Sequence, residues 1–370
     1  MKSGVQLIRA GDGFLLVGYD FPAANAQMPH IYQGTLSLDG VLSDLKDFAI
    51  DNSRLPRIMA SGAYFAVTRD DKPADQLLTI FVDYLRAEDE YRLVAFTETI
   101  AHDGSNPVVI ALLPGLRSAT QVQVATGTAA SGNVGLVAWG VPVAHGPINY
   151  VLLSAHAAMG TPGEFFVGEP GSNASDWDCL ATFNGTGGLG FSVIQIGANG
   201  TSTWHIVELD EEGTAKHTKF DLPTTVAYCR IVGSPASGGR YALAFQSLEG
   251  IHMARYQPGG GSLQAALVMP KALSGLPEYD RRPVWAGPAG DDVSVGIYEV
   301  GGRPTSVARF DSDGVPQGDP LPFPTLGGVV EQISSWVEPN LVYATYVNSR
   351  VNSSSDRFYD RYFLKIIPGS

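Results

Sequence analysis

Carboxylate, imidazole and guanidinium side chains in this 370-residue chain gather in the polar stretches between apolar runs, where loop residues meet ligands. Asp20, Asp70 and His145 offer the carboxylate and imidazole groups that move protons near neutral pH. Arg282 and Arg350 bring planar positive charge suited to a carboxylate or an enolate. His30, Asp71, Asp280, Arg281, Asp356, Arg357 and Asp360 fall in similar stretches. Trp139, Tyr228, Tyr279, Trp285 and Trp336, with Trp177, add flat apolar faces that suit a sugar ring or a planar metabolite. Taken singly, each has a plainer explanation: a Trp at a strand start is more often core, and a loop Asp or Arg more often solvated. Asp356 with Arg357, and Asp360 with Arg361, read equally well as surface ion pairs worth under about 1 kcal/mol.

Catalytic signatures are mostly absent. The chain has no Gly-x-Ser-x-Gly elbow, no His-Glu-x-x-His and no phosphate-binding loop. Asp311-Ser-Asp-Gly-Val has half of a calcium loop without its later ligands, so a hairpin turn explains it better. Asn199-Gly-Thr-Ser-Thr-Trp204 fails the spacing of a sialidase Asp-box. His30, His102 and His145 form no cluster by spacing, although loops of neighbouring units would let them converge. The sequence therefore implies neither metal nor cofactor.

The elements that must position these residues are strands. An apolar strand, a short run of Asp, Glu or Gly, a glycine and a second strand recur at intervals near fifty residues. Copies stand at Leu36 to Gly40, Leu209 to Gly213, Tyr256 to Gly260 and Phe310 to Gly314, with a degenerate one ending at Gly160. Glycine suits the position because a tight hairpin between twisted strands needs positive φ. A strand repeat of this period implies a β-propeller.

A second hairpin counts the units. Its members are Val5 to Arg9 with Phe14 to Tyr19, Arg57 to Ala60 with Tyr64 to Thr68, and Val122 to Thr126 with Val134 to Trp139. Cys179 to Phe183 with Gly190 to Gln195 follows, then Arg230 to Val232 with Tyr241 to Gln246. Val284 to Ala286 with Val293 to Tyr298, and Ile333 to Val337 with Leu341 to Val347, complete the set. The expected fold is all-β: one seven-bladed propeller domain over 1–370, with blades near 1–50, 51–118, 119–170, 171–223, 224–275, 276–326 and 327–370. Four antiparallel strands make each blade except the last, which has none left after Tyr362 to Ile367 unless an N-terminal segment is missing.

Val307-Ala-Arg-Phe-Asp-Ser-Asp-Gly-Val-Pro-Gln-Gly-Asp-Pro resembles the repeats of bacterial secreted propellers. The resemblance is to a fold superfamily and carries over no site residue.

Composition bounds the partners. A net charge of -13 with 24 Lys plus Arg argues against nucleic acid, and no apolar run approaches the length of a membrane span. Four Asn-x-Ser/Thr sequons, at Asn173, Asn184, Asn199 and Asn352, favour an extracellular or periplasmic location, although the chain shows no signal peptide. Cys179 and Cys229 occupy matching points of successive units and are expected as buried free thiols.

The expected function is a monomeric, lectin-like recognition module. It binds a small molecule, glycan or protein on the long-loop face, where second-to-third and fourth-to-first strand connections gather. The alternative is an enzyme with one central-funnel site, a lyase, hydrolase or cyclase acting on a small hydrophobic or carboxylate-bearing metabolite. Asp20, Asp70, His145, Arg282 and Arg350 are the candidate catalytic residues of that alternative, and on either reading Trp139, Tyr228, Tyr279, Trp285 and Trp336 are the expected ligand-binding residues.

Overall fold

The computed structural model describes the strands and several turns between them: residues 4–10, 13–20, 30–49, 60–68, 76–85, 90–99, 107–112, 121–129, 132–140, 146–154, 160–168, 176–185, 188–197, 200–210, 212–222, 226, 228–233, 241–246, 250–256, 264–270, 282–289, 292–299, 303–310, 318, 321–322, 329–338, 341–351 and 357–366. All-β structure accounts for every regular element among them.

The strands form seven antiparallel sheets, each a simple meander in chain order. The first holds β1 (Gly4–Ala10), β2 (Gly13–Asp20), β3 (His30–Ser37) and β4 (Leu42–Ala49), and the second β5 (Ala60–Thr68), β6 (Gln76–Leu85), β7 (Glu90–Thr99) and β8 (Pro107–Leu112). The third holds β9 (Gln121–Ala129), β10 (Gly132–Gly140), β11 (Ile148–Ser154) and β12 (Gly163–Phe165). The fourth holds β13 (Asp176–Gly185), β14 (Gly188–Ile196), β15 (Ser202–Leu209) and β16 (Ala215–Asp221). The fifth has β17 (Tyr228–Gly233), β18 (Tyr241–Gln246), β19 (Gly250–Tyr256) and β20 (Gln264–Pro270). The sixth has β21 (Arg282–Ala289), β22 (Asp292–Glu299), β23 (Arg303–Phe310) and β24 (Leu321–Pro322). Among the described residues the seventh has β25 (Val329–Glu338), β26 (Leu341–Val351) and β27 (Arg357–Ile366).

The chain divides into two compact units, one of Met1–Ser37, Val41–Gln195 and His205–Thr218, the other of Leu38–Gly40, Ile196–Trp204 and Lys219–Ser370. In the first unit the opening strand of each sheet lies against that of the next: β1 on β5, β5 on β9, β9 on β13. In the second unit β17 meets β21, and β21 meets β25.

Alternation in sequence sets the core. Leu136 and Ala138 on β10, Ile148 on β11, Leu189, Phe191 and Val193 on β14, and Val207 and Leu209 on β15 recur every second residue and bury together with Trp177 and Leu180. Six of the eight β15 residues are buried, so that strand is covered on both faces. In the second unit Trp204 packs against Phe220 with ring centroids 6.5 Å apart, and Phe245 lies parallel to His252 at 5.0 Å.

The glycine turns form as their sequences imply. Gly40 and Gly213 have φ of 82° and 85°, in the left-handed region. At the second turn the Asp210 carboxylate accepts the N–H groups of Glu212 and Thr214 at 3.1 and 2.7 Å, which explains an acidic residue three before the glycine. At the first, Ser37 Oγ accepts from Val41 N at 3.0 Å and takes the same part. Gly213→Ala is expected to lower stability by about 1–2 kcal/mol, the penalty of a side chain in this conformation, read as a lower urea midpoint with unchanged slope.

The second sheet departs from the sequence reading. Tyr64 to Thr68 is expected as a second strand, yet it belongs to β5, the first, which runs without a break from Ala60. Pro107–Leu112 forms the fourth strand of this sheet. Ser61-Gly62 looks like a turn locally, but in the fold it is a register shift within one strand.

Candidate functional site

In a meander, the connections from second to third strand lie at one end of the sheet and those from first to second at the other. Asp20 closes the first kind of end in the first sheet, as the rung partner of His30. Trp139 sits at the corresponding end of β10, paired with Val122 and Asn149. Tyr228 and Arg282 open β17 and β21 at that end of their own sheets, paired with Gln246 and Tyr298, and Trp285 is three residues further in. Arg350 is the penultimate residue of β26, opposite Phe358, and Asp360 lies within β27, so neither belongs to a loop as expected.

Two expected placements are corrected. Trp336 pairs with Tyr343, two rungs from the turn between β25 and β26, and so lies towards the opposite end of its sheet. β5 and β6, the strands that flank 69–75 in the sequence, are the first and second of their sheet and not the second and third as expected. Asp70, Asp71, His145 and Tyr279 themselves lie outside the described residues.

Among the described side chains, several meet between the third and fourth sheets. Gln121 begins β9 and shares a rung with Gly140. Its Nε2 donates to Asp178 Oδ1 on β13 at 3.4 Å, and both residues are half-buried. The same carboxylate oxygen accepts the Cys179 backbone N–H at 2.6 Å, which fixes Asp178 next to a residue with φ of 54°. A long bond to an amide and a short one to the backbone leave Asp178 anchored on one side and easily re-partnered on the other.

Trp177 frames this end. Its Cζ2 lies 2.7 Å from where a Cβ on Gly140 would stand, so the glycine exists to admit the indole. Trp139, 3% exposed, and Trp177, 1% exposed, both bury an indole N–H without a hydrogen-bond partner. By alternation along β10, Trp139 faces away from the sheet junction that Trp177 fills, so the two rings do not share one pocket wall. Trp139 is therefore core, the plainer of its two sequence explanations.

Cys179 is disulfide-bonded, which overturns the expectation of free thiols; the sequence holds one other cysteine, Cys229.

A second cluster was not legible in the sequence. His205 on β15, buried to 4% exposure, holds Gln195 Oε1 of β14 at 2.7 Å through Nε2 and His217 Nε2 of β16 at 3.0 Å through Nδ1. Phe165 of β12 meets His217 edge-on at 4.8 Å and Phe191 at 5.8 Å, and Tyr150 completes the group 5.4 Å from Phe191. Burial pushes the Tyr150 phenol above its ordinary value. No group of three or more candidate metal ligands exists among the described residues.

No family model matches the chain, and no curated protein is similar to it. Solved structures do resemble it. The BP39L lectin from Burkholderia pseudomallei superposes with a TM-score of 0.60 at 12% identity, over 99% of this chain and 95% of that one. A puromycin hydrolase mutant complexed with PGG gives 0.53 at 11% identity, over 97% of this chain but 51% of its own. A protein from Lactobacillus plantarum gives 0.51 at 15% identity, over 95% and 98%. Successive meanders whose first strands adjoin, together with these likenesses, identify the fold as a β-propeller.

Proposed function

We propose that this protein is a seven-bladed, monomeric recognition propeller that binds a glycan at the end of its sheets where second strands turn into third. The seven sheets are its blades, the seventh with three strands. The observation that carries the reading is the Gln121–Asp178 pair, an amide and a carboxylate half-open to solvent and joined by a 3.4 Å bond. A sugar hydroxyl is donor and acceptor at once, so it inserts into such a pair by donating to the carboxylate and accepting from the amide. The likeness to a lectin supports the same class of ligand. The units differ in sequence, which favours one such site over a ring of identical ones.

The disulfide at Cys179 supports an oxidising compartment, extracellular or periplasmic.

Asp178→Asn keeps the oxygen that caps Cys179 N and removes the charge. It should weaken binding of the best glycan from an array at least about tenfold, since a hydrogen bond to a charged group is worth about 1.5–3 kcal/mol, with melting unchanged. Undiminished binding by this variant, or an array with no hits, would sink the reading. The enzymatic alternative rests on the Asp20–His30 rung. Turnover of a ligand by the wild type, lost in Asp20→Asn, would replace binding with catalysis.

A further inference from the structure

The contact between His205 and His217 has the geometry of an N–H···N hydrogen bond. Their planes are 6° apart and their centroids 5.2 Å apart, while the facing nitrogens are 3.0 Å apart. Parallel rings stacked face to face could not bring nitrogens so near at that centroid distance. The rings instead lie side by side in one plane, each nitrogen lone pair aimed at the other ring. That arrangement suits an N–H···N bond and not a metal ion, whose ligands must converge at an angle.

With both rings neutral the chain of donors runs inward. His217 Nε2–H donates to His205 Nδ1, and His205 Nε2–H donates to Gln195 Oε1. One added proton is tolerated at the outer ring nitrogen of exposed His217. A second is not, because His205 would then turn an N–H towards the His217 N–H at 3.0 Å, with like charges facing.

Groups from four elements stand around the pair. Phe165 from β12 meets both rings edge-on, at 4.8 and 6.0 Å. β14 supplies neutral Gln195, and β11 supplies Tyr150, kept protonated by burial. On β16, Lys219 and Asp221 share the His217 side by alternation, and Asp221 accepts from Thr203 Oγ1 at 2.9 Å. Glu164, Glu208 and Lys216 alternate to the other side of their strands.

We propose that the His205–His217 pair is an acid-sensitive latch on the seam between the third and fourth sheets. Unfolded, both histidines take a proton below the ordinary range near about pH 6.5; latched, they take one. The latched form binds fewer protons, so its stability is full above that range and falls as pH drops through it. Acid releases His217 and the β16 edge, while the apolar layer around Phe191 and Val207 keeps the fold.

The test is hydrogen exchange by mass spectrometry on the full chain at pH 7.5 and 5.5, corrected for intrinsic rates. Wild-type amides of β16 should lose protection by up to about tenfold per pH unit, the effect of one proton, with β17 to β20 unchanged. His217→Gln, an exposed and neutral replacement whose amide donates to neutral His205 and turns its oxygen to a protonated one, lets His205 take its proton in the folded state and should show no such loss. A wild type with equal protection at both pH values overturns the latch. So does a His217→Gln variant that still responds to acid, since another group would then be the sensor.

Discussion

Serine at both Cys179 and Cys229 should destabilise the protein by about 4 kcal/mol and lower the melting temperature by about 5 °C. The first figure is the loop entropy that a cross-link of this span removes from the unfolded chain, and the second follows from the melting entropy of a domain this size. Thiol titration of the denatured, unreduced protein should find none, and reduction should expose two. A free thiol before reduction would refute the assignment. Cys179 has a φ of 54°, a conformation that disfavours any side chain, so pairing Cys179→Gly with Cys229→Ser should recover about 1 kcal/mol relative to the double serine. The sequence reading erred here because equivalent points on regular strands of neighbouring blades stand too far apart to bridge. Cys179 instead has its backbone in the left-handed region, and nothing in Trp177-Asp-Cys-Leu announces it.

Trp177→Ala should cost about 3–5 kcal/mol, the usual loss for a large buried aromatic. Its ring belongs to the apolar layer with Leu136, Ile148 and Phe191, and it lies directly over Gly140. Trp177→Phe should cost much less, because the indole N–H is buried without a partner and its removal relieves an unsatisfied donor. Gly140→Ala should cost about 1–3 kcal/mol in the wild type by overpacking against that ring. In the Trp177→Phe background the penalty should shrink, giving a coupling in a double-mutant cycle by urea denaturation. Additive effects would show that the ring and the glycine do not meet in solution.

The strand pattern and the glycine turns at Gly40 and Gly213 were legible in the sequence, because each follows from local sterics. Alternating side chains mark a pleated strand, and a positive φ selects glycine. The second sheet escaped that reading because Ser61-Gly62 serves a turn and a bulge equally well, and only pairing with Val82 and Asp83 decides between them. That choice makes the strands that flank 69–75 in the sequence the first and second of their sheet. The candidate site itself was decided by tertiary structure. Gln121 and Asp178 are 57 residues apart, and His205 meets Gln195, His217 and Phe165 from three other strands. Residue types and spacing carry information over a turn or a hairpin; which side chains meet across packed sheets depends on register and facing, which the chain acquires only when the sheets pack.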